Sequence, residues 1–247
     1  MASKITKLKN EVLMRTIRVL APIINILPES IIRYIASKAS EFILNKYVKL
    51  EVTGNEFLSE RIGKPTIFIA NHLSNMDGIV LNKILKKNNV SFMAGIKLHA
   101  NPLTSIFLKT VKHISISPNS ADRNAIQKAR AVLSMGESIL IFPEGTRSRS
   151  GSMIKGKKGF LLLARLSKAY IVPIALEGTE LLLPVSQKDM GKETLQHATV
   201  RVKIGQPFQM EAKNHNCDNW DEECVYTAMR KIAQMLKPEY QGVYKID

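Results

Sequence analysis

The sequence predicts an α/β fold, a largely parallel sheet flanked by helices, with an amphipathic two-helix appendage at its amino end. Three observations carry that reading. From about residue 50, short β-rich runs alternate with helical segments, as a parallel sheet requires, because a helix must return the chain between strands. Before residue 50 the spacing of apolar residues is helical throughout. With 247 residues, 45% hydrophobic and 23% charged, the chain supports one sizeable core plus a small appendage.

Residues 1–49 read as two helices separated near Pro28, the first built on Ile5, Leu8, Val12, Ile17, Leu20 and Ile24, the second on Ile31, Ile35, Ile43 and Leu44. Positive side chains outnumber acidic ones there nine to three. A basic, apolar-faced hairpin suits a membrane interface, where apolar burial and attraction to anionic headgroups add; it suits a cap on the core equally, and one hairpin can do both. The domain of residues 50–247 follows. Its strands are "YVKLEVTG", "TIFIAN", "VSFMAG", "HISIS", "SILIFP", "YIVPIAL" and "TVRVKIG". Its helices are "DGIVLNKILKKN", "NPLTSIFLKTV", "ADRNAIQKARAVLSMG" and "KKGFLLLARLSK", several closing on Asn or Gly, which accept a left-handed cap. An amphipathic helix from Trp220 to Leu236 docks on the core.

No apolar run reaches the roughly 18 to 20 residues of a spanning helix, since Arg15, Arg18, Pro22 and Asn25 interrupt the best candidate. The same arginines, with no small-residue cleavage site after them, argue against a signal peptide. Cys217 and Cys224 are the only cysteines; seven apart in a helix, they stand about 10 Å from each other and form no bridge, so the sequence predicts free thiols in a reducing cytoplasm. Lys and Arg number 36 against 21 Asp and Glu, a net charge of +15 that favours acidic partners. Nucleic acid is the poorer fit, because aromatics are only 6% and none is interleaved with the basic clusters.

Two strand ends carry the chemistry. In "TIFIANHLSNMDGIVL" the strand runs into a turn with His72 and Asp77, and strand ends of open α/β sheets present ligands. An imidazole can take a proton from a hydroxyl and return it to a leaving group, and a carboxylate brought back to the ring fixes its tautomer. Taken alone, Ser74, Asn75 and Asp77 read equally well as caps. No G-x-S-x-G elbow supports Ser74 as a nucleophile. In "SILIFPEGTRSRSG" Gly145 permits an unusual turn, and Arg147 and Arg149 offer planar forks for phosphate. Lys157 and Lys158, at a helix start, are further phosphate candidates. His99, His113, His197 and His215 lack a carboxylate at convincing spacing, and no metal site is expected.

Together, "NHLSNMD" and "FPEGTRS" resemble the first and third signature blocks of the glycerolipid acyltransferases, the lysophosphatidic acid acyltransferase family. The likeness continues through "GKKGFLLLA" and through "IVPIALEGT", similar to the fourth block, and covers roughly residues 50 to 210. It implies that His72 and Asp77 are the catalytic pair, with His72 deprotonating an acceptor hydroxyl that attacks an acyl thioester. It also implies that Glu144, Gly145 and Arg147 bind the glycerol-phosphate acceptor and that Pro173 shapes the pocket; Thr146 in the same turn, Lys97 of the second block and Lys157 at the helix start are the further substrate-binding candidates. No metal, cofactor or acyl-enzyme is implied.

The second block departs from the family: Lys97 and Pro102 are retained, but Ser105 stands for a Gly and Pro118 for a phosphate-holding Arg, a role Arg123 or Lys112 would have to take over. The acceptor expected first is 1-acylglycerol 3-phosphate, giving phosphatidic acid in phospholipid biosynthesis, ahead of glycerol 3-phosphate or another lysolipid. The expected donor is acyl-CoA or acyl carrier protein, and the expected location is the cytoplasmic face of an anionic membrane surface, peripheral or monotopic. A basic, non-enzymatic lipid-binding module is the alternative from another class.

Overall fold

The computed structural model describes residues 28–96, 98, 102–117, 122–184, 195–211 and 218–246. The first expected helix and Cys217 lie outside them. The second expected helix is α1, Glu29–Tyr47, and passes directly into β1, Val48–Thr53. There follow α2 (Asn55–Ser59), β2 (Thr66–Ala70), α3 (Met76–Ile84), β3 (Val90–Gly95), α4 (Pro102–Thr110), β4 (His113–Ile116), α5 (Arg123–Ser134) and β5 (Ser138–Ile141). The chain continues through α6 (Gly159–Ser167), β6 (Tyr170–Glu177), α7 (Thr179–Leu182), β7 (Ala198–Ile204) and α8 (Trp220–Ala233). All seven expected strands form, and they join in one sheet of order β1-β7-β6-β2-β5-β3-β4. Every pairing is parallel except β6 with β7. β1 and β7 therefore run against the other five strands.

Side chains alternate across the sheet and divide the core in two. Ile67, Ile69, Ile139 and Ile171 meet α5, α6 and α8 on one face, while Phe68, Leu140 and Val172 meet α1 and α3 on the other. Every residue of β2 is buried, which is why it reads as an unbroken apolar run. α5 turns Ala125, Ala129 and Leu133 inward and is capped by Asp122, which accepts from the Ala125 N–H at 3.0 Å. Acidic Asp221, Glu222 and Glu223 begin α8 and basic Arg230 and Lys231 end it, in the sense that opposes the helix dipole at both ends. α1 lies against α4; its outward face leaves Ile31, Tyr34, Ile35 and Phe42 exposed. No helix among the described residues is long and apolar enough to cross a membrane.

β2 and β5 are direct neighbours, Ile67 opposite Ile139 and Ile69 opposite Ile141. The turns that follow them, some seventy residues apart in sequence, therefore emerge side by side. Where β2 stops, the buried Asn71 continues its pairing with β6 through its side chain, donating to the Leu176 carbonyl at 2.9 Å and accepting from the Leu176 N–H at 2.8 Å. Asn71→Leu keeps the branching of the side chain and leaves both backbone groups unpaired. It is expected to lower the unfolding free energy by about 2 to 4 kcal/mol, read from urea denaturation.

Candidate active site

Asp77 sits in the first turn of α3 and is fully buried. Its Oδ2 accepts from the Leu73 N–H at 2.7 Å and the Ser74 N–H at 2.9 Å, and lies 2.7 Å from His72 Nδ1. These contacts hold the carboxylate in one orientation at the start of the helix. The carboxylate accepts the hydrogen bond of Nδ1–H, which fixes the tautomer and leaves Nε2 as the basic nitrogen. The His72 ring stacks on Phe142, centroids 4.1 Å apart and planes 18° apart, and its side chain keeps 19% exposure. Ser74 is buried, with its hydroxyl donating to the Leu183 carbonyl at 3.2 Å. It shapes the turn, as a cap would.

The second turn holds the first by its backbone. The His72 N–H donates to Glu144 Oε1 at 2.8 Å, and the His72 carbonyl accepts from the Ser148 N–H at 2.8 Å. Glu144 Oε2 accepts from the Ile154 N–H at 2.9 Å. Glu144 was expected to contact substrate; it is instead buried, with both oxygens spent on backbone. Burial raises its pKa from the ordinary 4.5 to about 7, the two N–H groups pull the other way, and the charge of Asp77 adds to the rise.

The remaining expected contacts lie on the outer side of this turn. Gly145 has φ +70°, and a Cβ there would stand 2.9 Å from Lys157 Nζ, so the turn needs glycine both for its backbone angle and for the lysine that crosses it. Thr146 is exposed and Arg147 half-buried. The Lys157 N–H returns to the Pro143 carbonyl at 2.8 Å, closing the loop. Gly145, Thr146, Arg147 and Lys157 are thus brought together at the mouth of the loop.

Residues 49–177, just over half of the chain, match the acyltransferase family. The chain belongs to the acyltransferase family. It is 29% identical over 195 residues to a 1-acyl-sn-glycerol-3-phosphate acyltransferase of Cocos nucifera, covering 78% of this chain and 57% of that protein. It is 34% identical over 126 residues to one of Limnanthes douglasii, covering 50% and 44%. The chain thus spans about half the length of these curated relatives. Its fold resembles the crystal structure of the 1-acyl-sn-glycerophosphate (LPA) acyltransferase PlsC from Thermotoga maritima, with a TM-score of 0.63, 21% identity, and coverage of 93% of this chain and 97% of that one.

Among the described residues the second block is divided. Lys97 and Pro118 lie outside the described residues, and Ser105 is half-buried in α4. Lys112 is bound to Glu137 Oε1 at 2.8 Å and Asn89 Oδ1 at 3.0 Å. It precedes β4, at the amino edge of the sheet, and so does not reach the His72 turn. Arg123 opens α5 beyond the carboxyl end of β4, on the same edge as His72. Lys158 pairs with Glu222, leaving Lys157 as the lysine of the turn. His113 begins β4, on the edge opposite His72, and no metal-ligand cluster occurs among the described residues. Pro173 lies inside β6 opposite Ile69, against Gly205.

The inward role of Glu144 and the stacking of Phe142 were not foreseen. A Glu between Pro and Gly at a strand end carries no sign of which way it faces. A carboxyl that is protonated more readily in the folded than in the unfolded chain contributes fully below pH 4.5 and loses that contribution as pH rises to about 7. The stability of the native protein relative to Glu144→Gln is therefore expected to fall over that window, by on the order of 3 kcal/mol, and to level off above it. Urea unfolding of both proteins at half-unit pH steps checks the slope.

Proposed function

We propose that the chain transfers a fatty acyl group from an acyl thioester, acyl-CoA or acyl carrier protein, to the free hydroxyl of 1-acylglycerol 3-phosphate, giving phosphatidic acid. The observation that carries this reading is the 2.7 Å contact of His72 Nδ1 with a buried carboxylate that two backbone N–H groups hold in place. Nε2 takes the hydroxyl proton as the oxygen attacks the thioester carbon. The C–S bond then breaks, and the imidazolium returns the proton to the departing thiolate. Asp77 stabilises that imidazolium; a base so placed contributes roughly 10²- to 10⁴-fold in rate. Arg147 and Lys157 face the acceptor phosphate, the Arg with its planar fork and the Lys as a point charge.

The exposed Ile31, Tyr34, Ile35 and Phe42 of α1, with Arg33, Lys38 and Lys46 on the same helix, support a peripheral seat on an anionic membrane, at its cytoplasmic face. There the lipid acceptor is already concentrated.

His72→Ala is expected to reduce thiol release from the donor about 10²- to 10⁴-fold with an unchanged circular dichroism spectrum; unaltered turnover would remove the proposal. Arg147→Ala should raise the acceptor KM about tenfold and leave the donor KM alone. A mass-spectrometric acceptor screen with both donor types separates 1-acylglycerol 3-phosphate from glycerol 3-phosphate and neutral lysolipids, and absence of any acyl product would favour a lipid-binding module. Replacing Ile35 and Phe42 together by Ser should lower the partition coefficient onto anionic vesicles about 100-fold or more, since each apolar side chain that the membrane buries contributes about 1.5 to 3 kcal/mol.

A further inference from the structure

The loop that carries Arg147 and Lys157 is tied from behind by a part of the chain that lies beyond the residues matched to the family. The Gly156 N–H donates to the Tyr244 hydroxyl at 2.8 Å. The Met153 N–H donates to the Tyr240 carbonyl at 2.8 Å, and the Val243 N–H to the Met153 carbonyl at 3.2 Å. Gly242, at φ +54°, comes so near that a Cβ would stand 1.9 Å from the Met153 carbonyl oxygen. Tyr244 is 2% exposed, and burial together with the nearby Glu144 raises its pKa.

This terminal segment is itself fixed to the sheet and to α8. The Tyr240 hydroxyl donates to Glu180 at 2.7 Å, the Lys237 N–H to Glu177 at 3.0 Å, and the Gln241 amide to the Ala233 and Leu236 carbonyls at 3.2 and 3.1 Å. Residues 153–157 are thus held at successive points: Met153 and Gly156 by the terminal segment, Ile154 by Glu144, and Lys157 by Pro143. Lys157, one residue after Gly156, is the side chain that crosses Gly145.

We propose that Tyr244 is a positioning residue for the acceptor site, acting through Gly156 on the placement of Lys157 against the Gly145–Arg147 turn. The proposal rests on the reading of that turn as the acceptor-phosphate contact. The hydroxyl accepts a hydrogen bond that the loop cannot make elsewhere without moving, and a misplaced ammonium weakens phosphate binding before it affects proton transfer at His72.

Tyr244→Phe deletes only the hydroxyl. The acceptor KM is expected to rise about 3- to 10-fold, the worth of one such bond, with kcat at saturating acceptor and donor KM within about twofold. Hydrogen exchange of the segment 153–158 should quicken in the same variant without any substrate. Gly242→Ala, which wedges the segment off Met153, should shift the acceptor KM in the same direction. In a Lys157→Met background, Tyr244→Phe should add nothing further, because its route runs through that lysine.

An unchanged acceptor KM in Tyr244→Phe beside a raised one in Lys157→Met would overturn the positioning role alone. A full further rise in the double variant, or equal losses in acceptor and donor parameters with a lowered Tm, would also overturn it, since those are the marks of a general structural part. Unchanged acceptor KM in both Lys157→Met and Arg147→Ala, with exchange of residues 153–158 still quickened by Tyr244→Phe, would instead overturn the reading of the acceptor turn and with it the role given to Tyr244 there.

Discussion

The Glu144 carboxylate, set between the backbone N–H groups of His72 and Ile154, is the constraint on which the site depends. Neither turn has a partner of its own for those donors, and a buried N–H left unpaired costs about 1 to 3 kcal/mol. One carboxylate satisfies both and thereby joins the turn that holds His72 to the loop that holds Arg147 and Lys157. The arrangement opposes itself electrostatically, because burial and the neighbouring Asp77 disfavour a second charge in the same place. The two N–H groups offset part of that penalty, and geometry is what the remainder secures.

The side chains of the site divide along the same line. Asp77 is immobilised by the chain segment it belongs to, a short path from Leu73 back to the first turn of α3, so its orientation follows from local backbone. The cations have no such local logic. Arg147 and Lys157 are ten residues apart and meet at one turn because the loop between them is tied at Glu144, at Pro143 and at the terminal segment.

Much of the fold was legible in the sequence. Each strand of the sheet was visible as a short β-rich run, because central strands such as "TIFIA" are buried on both faces and leave no polar residue to blur them. The second amino-terminal helix followed from Ile31, Ile35 and Leu44, although that spacing did not reveal that Ile31 and Ile35 face outward while Ile32 and Ala36 face inward. The reversal between β6 and β7 was not legible, since strand direction is set by the path of the connection and not by the composition of the strand. At the site, His72 and Asp77 were readable because their contact is local. Glu144 and Tyr244 were not, because the direction of a carboxylate and the return of the terminal segment depend on residues 72 to 244 being folded at once.

His72 gives both backbone groups to the neighbouring turn, and Asn71 before it is sewn to β6. The His72 turn is in this way part of the cooperative unit of the sheet and not a separately melting loop. Opening it locally would break bonds to β6 and to the turn after β5 together. Heat should therefore take the His72–Asp77 contact apart by the same event that unfolds the sheet, in one transition.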